Sequence, residues 1–122
     1  MQNNLFFQLP KRNRKIETIP YSDILYLEGD INYTIIHLQN GKIKVSPRTL
    51  LFHINNSLDE GFIRIHRAFC VNKLYIQSYD RNEAPDYLWL TGGVKLSVSR
   101  RKQKELLAMN QSFKIYSPLS CL

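Results

Sequence analysis

The chain is poor in cysteine, in acid and in long apolar runs. Only two cysteines, Cys70 and Cys121, occur in 122 residues. They stand far apart with no metal-ligand spacing, which points to reduced thiols in a cytoplasm. Cys70 lies in an apolar stretch and reads as a small core residue. No apolar run reaches the ~20 residues that a membrane helix requires. The opening MQNNLFFQLP has neither the charged head nor the long apolar stretch of a signal peptide. The three histidines, His37, His53 and His66, fall in different segments, and no HxxH or HExxH pattern occurs. A glycine-rich phosphate loop is missing too. Ser97 and Ser99 lack the context of a nucleophile elbow. Glu28, Asp30 and His66 form only the kind of triple that any β-rich chain offers. No catalytic set, cofactor or metal ion is implied, and the expectation is that the chain is not an enzyme.

What is present is positive charge. Seventeen Lys and Arg against ten Asp and Glu give a formal charge of +7 and a pI near 9.6. Such a balance favours a polyanionic or acidic partner. A hydrophobic fraction of 43% fits one folded domain with a modest core. Short apolar segments separated by turns dominate. NLFFQL and KIETI read as strands around the basic turn PKRNRK. After the corner PYSD, ILYLE and YTIIHL read as buried strands. Asn40-Gly41 suits a type I′ hairpin turn, with positive φ at both central positions, into the alternating KIKV. In SPRTLLFHINNSL, Ser46 is placed to cap and Pro47 to open a helix whose apolar face holds Leu50, Ile54 and Leu58. FIRI is a strand, and HRAFCVNK is too short and mixed to assign beyond a single turn. LYIQSYD, YLWL and VKLSV are further strands, the last two joined at Gly92-Gly93. SRRKQKELLAMN closes as a short helix, and QSFKIYSPLSCL is either an added strand or disordered. The class is mostly β, a β-rich α+β domain of antiparallel strands with two short helices.

Three segments carry candidate chemistry. Ser99 reads as an N-cap that would place Arg100, Arg101 and Lys102 in a first helical turn. Cations there oppose the helix dipole, each at about 0.3–1 kcal/mol. An anion at that end would meet free N–H groups and positive charge together. GFIRIHRAFCVNKLYI mixes core residues with Arg64, His66, Arg67, Asn72 and Lys73. Arg64 reads as structural, snorkelling or paired with an acid. Arg67 falls where the strand ends and can project from a loop. Asn72 suits a hydrogen bond to backbone in a turn. In GDINYT, Asn32 offers a donor and an acceptor together, as adenine readout requires.

In order and content these pieces resemble the LytTR domain, the DNA-binding output domain of many bacterial response regulators. The resemblance spans residues 15–108 and rests on IPYSDILYLEGDINYTIIHL, the Asn-Gly hairpin, SPRTLLFHINNSL, FIRIHRAFCVNKLYI and KLSVSRRKQKELL. Residues 1–14 add a strand and a basic turn, and residues 109–122 form the tail. The resemblance implies an elongated set of short antiparallel sheets whose loops enter successive major grooves. It implies base contacts from Asn32, Arg67 and Arg100. Phosphate contacts would come from Tyr33, Lys73, Arg101 and Lys102, with His66 and Asn72 holding the loop or touching the DNA backbone. The implied partner is double-stranded DNA, as direct repeats each bound by one copy. Ala68 replaces the serine of many members and removes a hydroxyl. Asn32 replaces a histidine found in some, so target sequence does not transfer. No receiver domain precedes the domain, so the chain is a free-standing regulator or a fragment of one. The expected function is sequence-specific transcriptional regulation. The alternative is a basic interaction module that has lost DNA binding and sequesters an acidic partner.

Overall fold

The computed structural model describes residues 6–11, 13, 15–109 and 113–116. Cys121 and most of the last segment lie outside the described residues. Along the chain run β1 (Phe6–Pro10), β2 (Ile16–Pro20), β3 (Ile24–Asp30), β4 (Tyr33–Leu38) and β5 (Ile43–Ser46). Helix α1 (Leu50–Asn56) follows, then β6 (Phe62–His66), β7 (Phe69–Asn72), β8 (Ile76–Asp80), β9 (Asp86–Leu90) and β10 (Val94–Val98). The last elements are α2 (Gln103–Ala108) and β11 (Lys114–Tyr116). Short 3-10 turns at Tyr21–Asp23, Lys73–Tyr75 and Arg100–Lys102 link neighbouring elements. The mostly β class with two short helices is what the periodicity predicts.

Strands β1 and β2 form an antiparallel hairpin. A five-stranded sheet has the order β5-β4-β3-β7-β6, and a four-stranded one the order β10-β9-β8-β11. All pairings are antiparallel except β11, which lies parallel to β8. The five-stranded sheet has a core on each face, because alternate residues of one strand point to opposite sides. Ile24, Leu27, Ile36, Phe62 and Cys70 pack with Phe7, Leu9 and Ile19 of the hairpin and Leu50 of α1. Leu25, Ile63, Ile65 and Val71 pack instead with Tyr79, Leu88, Leu90 and Leu96 of the second sheet and Leu106 of α2. Cys70 is buried, and burial pushes its thiol up to about 12, so it is a core residue.

Three local expectations are corrected. At Asn40-Gly41 only Gly41 has positive φ, +87°. Its N–H donates to Leu38 O, and Leu38 N–H donates to Lys42 O, which makes a longer hairpin loop than type I′. Helix α1 starts three residues later than Ser46-Pro47 suggest. Thr49 caps it by accepting from Phe52 N–H at 3.1 Å, while Ser46 is buried and bonded to His53. HRAFCVNK is not a single turn. It is a two-residue turn, Arg67-Ala68, followed by β7, and β7 pairs with both β6 and β3. That placement makes β7 an interior strand, which local composition does not reveal.

Candidate nucleic-acid interface

Arg67 sits exposed in the turn between β6 and β7. The turn is fastened from every side. Arg64 donates from Nη2 to Arg67 O at 2.7 Å and from Nε to His66 O at 3.3 Å. Ala68 N–H donates to His66 Nδ1 at 3.0 Å, which places the ring proton of neutral His66 on Nε2. Gly29 N–H in β3 donates to Ala68 O at 2.8 Å. The register of β6 against β7 shifts between Arg64 and His66, a bulge that re-aims the strand end. Arg64 therefore does not pair with an acid. It uses its fork of donors on the carbonyls of the very turn that presents Arg67.

The bulged residue, Ile65, ties in the next loop: its carbonyl accepts from Ser99 N–H at 2.9 Å. Arg100, Arg101 and Lys102 follow as a 3-10 turn, and α2 begins only at Gln103. Ser99 makes no side-chain cap, so the expected capped helix opening on these three cations is corrected. The first turn of α2 carries Glu105, the charge its dipole favours, and Lys102 Nζ lies 3.3 Å from that carboxylate. Arg64, His66, Arg67, Ser99, Arg100, Arg101 and Lys102 line one cleft of about 640 Å³. Five of those seven are permanent cations and none is an acid. The cleft is built for an anion.

Asn32 lies on the two-residue turn Ile31-Asn32 between β3 and β4, exposed to solvent. The Gly29–Ala68 bond sets this turn at the same end of the sheet as Arg67. Ile31 has φ +53° and is 87% exposed. A β-branched residue in the left-handed region costs energy, on the order of 1–3 kcal/mol, and such outliers collect at binding sites. Tyr33 is half-exposed, and its hydroxyl donates to Asp30 Oδ2 at 2.8 Å. That carboxylate holds the phenol above its ordinary range.

Asn72 and Lys73 are not brought to this end. Asn72 ends β7 and Lys73 follows it, at the opposite end from Arg67. Asn72 is 6% exposed, so the expected touch on the DNA backbone is corrected. Its Nδ2 donates to Tyr21 O at 3.0 Å and Ile24 O at 2.9 Å, and its Oδ1 accepts from Leu74 N–H. The amide is fully used in holding the 3-10 corners. Two residues at the Arg67 end of the sheet are missing from the sequence-derived set of contacts. Ile31 is one. Arg48 is the other: exposed between β5 and α1, it stacks its guanidinium 3.9 Å from the centre of the Phe52 ring. Both sit beside obvious turn signals, yet neither carries a spacing that singles it out.

A family model, the LytTr DNA-binding domain, matches residues 14–111. The chain belongs to the LytTr DNA-binding domain family. LytTr domains are DNA-binding domains of response regulators rather than catalytic units, and DNA is the partner they imply. Among solved structures, the chain is similar to the LytTr DNA-binding domain of a Bacillus cereus protein described as a methyl-accepting/DNA response regulator. The TM-score is 0.66 at 20% identity, over 90% of this chain and 97% of that one. No curated protein matches it. Among the described residues, no helix is long and apolar enough to cross a membrane, and no group of three or more His, Cys, Asp or Glu could hold a metal ion.

Proposed function

We propose that this LytTr domain is a sequence-specific transcriptional regulator that reads duplex DNA with Asn32, Arg67 and Arg100. The observation that carries the reading is the pair of backbone bonds Gly29–Ala68 and Ser99–Ile65. They hold three separate loops at one end of one rigid sheet, and stiffness of this kind is what positioned readout needs. Arg67 and Arg100 take guanine O6 and N7 in bidentate geometry, and Asn32 takes adenine N6 and N7. Arg101 and Lys102 hold phosphates, and His66 turns its Nε2–H outward to the same backbone. Two copies engage direct repeats, and a receiver domain or another signalling partner governs them.

Selection of bound duplexes from a random pool tests the proposal, since it yields base preference and repeat spacing together. Arg67→Ala is expected to cost about 1–3 kcal/mol and to relax preference at one base position. Lys102→Ala is expected to weaken all sequences alike and to flatten the salt dependence, log K against log salt, by about 1. Intact base preference in Arg67→Ala would remove Arg67 from the readout. Failure to enrich any sequence would favour a module that binds an acidic protein.

A further inference from the structure

The family match begins at residue 14, so β1 and most of the turn of the hairpin β1–β2 lie outside it. The hairpin is nonetheless built into the fold, because Phe7 and Leu9 are buried in the core beneath the five-stranded sheet. Its turn is PKRNRK, four cations in six residues. The described part of that turn faces the first reading loop. Lys11, Asn13 and Glu17 of the hairpin line a cleft of about 870 Å³, with Asn32, Tyr33 and Lys44 on the sheet side. Glu17 binds both walls: its carboxylate lies 3.2 Å from Lys11 Nζ and 3.0 Å from Lys44 Nζ. These ammonium groups, Lys44 foremost, hold Glu17 below the usual carboxylate range despite some desolvation. One carboxylate cannot neutralise two lysines, and Lys15 stands exposed beside them.

We infer that the β1–β2 turn is a further DNA-contacting element, gripping duplex phosphates on the flank beyond the base read by Asn32. The inference rests on the DNA-reading proposal above. The sheet order sets the geometry. The β5 edge, with the hairpin tied to it through Glu17 and Lys44, lies on one side of the Asn32 turn, and the Arg67 turn and the 100–102 cleft, tied to β6 through Ser99 and Ile65, lie on the other. With strands about 4.8 Å apart, the five-stranded sheet is roughly 19 Å wide at this end. A duplex laid along that row carries a phosphate charge every ~1.7 Å of axis. It therefore continues past Asn32 to the basic turn. Lys11 and Lys15 meet phosphates as point charges, so they add affinity and leave sequence preference alone.

The test uses the full chain with Lys11→Gln and Lys15→Gln combined. Both side chains are exposed, so folding is retained, and circular dichroism and Tm check this. Binding is measured against salt on a long specific duplex and on one trimmed beyond the Asn32 flank. The unmodified protein is expected to lose affinity on the trimmed duplex. The double variant is expected to bind the long duplex with a salt slope shallower by about 1.8, two phosphates at 0.9 each, and to ignore the trimming. Base preference stays the same. Glu17→Gln, which frees Lys11 and Lys44, is expected to steepen the slope. An unchanged slope and a retained sensitivity to trimming in the double variant would overturn the inference while leaving the readout by Arg67 standing. A protein that binds no duplex at all would sink both, so duplex binding by the unmodified protein tells the two failures apart.

Discussion

His53 shows how one buried side chain ties acid stability to the junction of β5 and α1. The ring is fully buried, with Ser46 Oγ 2.6 Å from Nε2 and Ser57 Oγ 2.7 Å from Nδ1. Ser46 Oγ also accepts from Arg48 N–H, and the two serine hydroxyls serve a neutral ring, one ring nitrogen donating and the other accepting. The ring is thus held neutral. Burial first, and nearby Arg48 second, lower its pKa from 6.5 to about 4. Below pH 6.5 the unfolded chain takes up a proton that the folded chain refuses until about pH 4. Stability is therefore full above pH 6.5 and falls as pH drops through that window, by on the order of 2 kcal/mol. Urea denaturation at pH 7 and pH 4.5 checks this, with the fall largely missing in His53→Gln. A lowered histidine of this kind cannot be read from HINNSL. The helical spacing of Ile54 and Leu58 is visible there, but the buried serine partner Ser46 comes from β5.

At the scale of elements, the decisive unit is β6 with its turn. Arg64 and His66 sit two residues apart and spend their polar atoms on the backbone of the turn between β6 and β7. Arg64→Lys keeps the charge but loses the fork that serves two carbonyls. It is expected to lower specific DNA affinity about tenfold, on the order of 1.4 kcal/mol. Non-specific binding at the same salt should stay within about twofold. Equal losses on specific and random duplexes would show Arg64 acting as a simple phosphate contact. Much of the architecture was legible in the chain. The strand at FIRI, the tight turn at Gly92-Gly93 and the apolar face of α1 are local signals, and the structure follows them; KIKV does form β5, but with Ile43 and Val45 exposed and Ser46 buried. What stayed hidden depends on partners distant in sequence. Asn72 reads as an ordinary turn amide, and it does serve a turn. Its burial comes from the carbonyls of Tyr21 and Ile24, about fifty residues earlier. The start of α1 shifted because Ser46, an apt cap by type, is the acceptor for Arg48 N–H and the partner of His53, so Thr49 takes the capping role. The parallel docking of β11 on β8 is likewise a tertiary choice that no short window records. Of the candidate contacts, Arg67, Arg100, Arg101, Lys102 and His66 share one cleft. Lys73 and Asn72 fall away because β7 carries the chain to the other end.

At the scale of the whole molecule, the five-stranded sheet is a party wall. Two apolar masses lean on it from opposite sides, and β3, β6 and β7 lend side chains to both. Neither mass can loosen without pulling the wall out of true for the other. A molecule of this kind has no seam along which to come apart, although its hydrophobic interior is divided. Heating should produce one melting event, with calorimetric and van't Hoff enthalpies in agreement. Two resolved peaks would mean that the wall can stand with only one side furnished. The same indivisibility keeps the rim proposed to face DNA from softening ahead of the rest, so it holds its shape until the entire domain lets go.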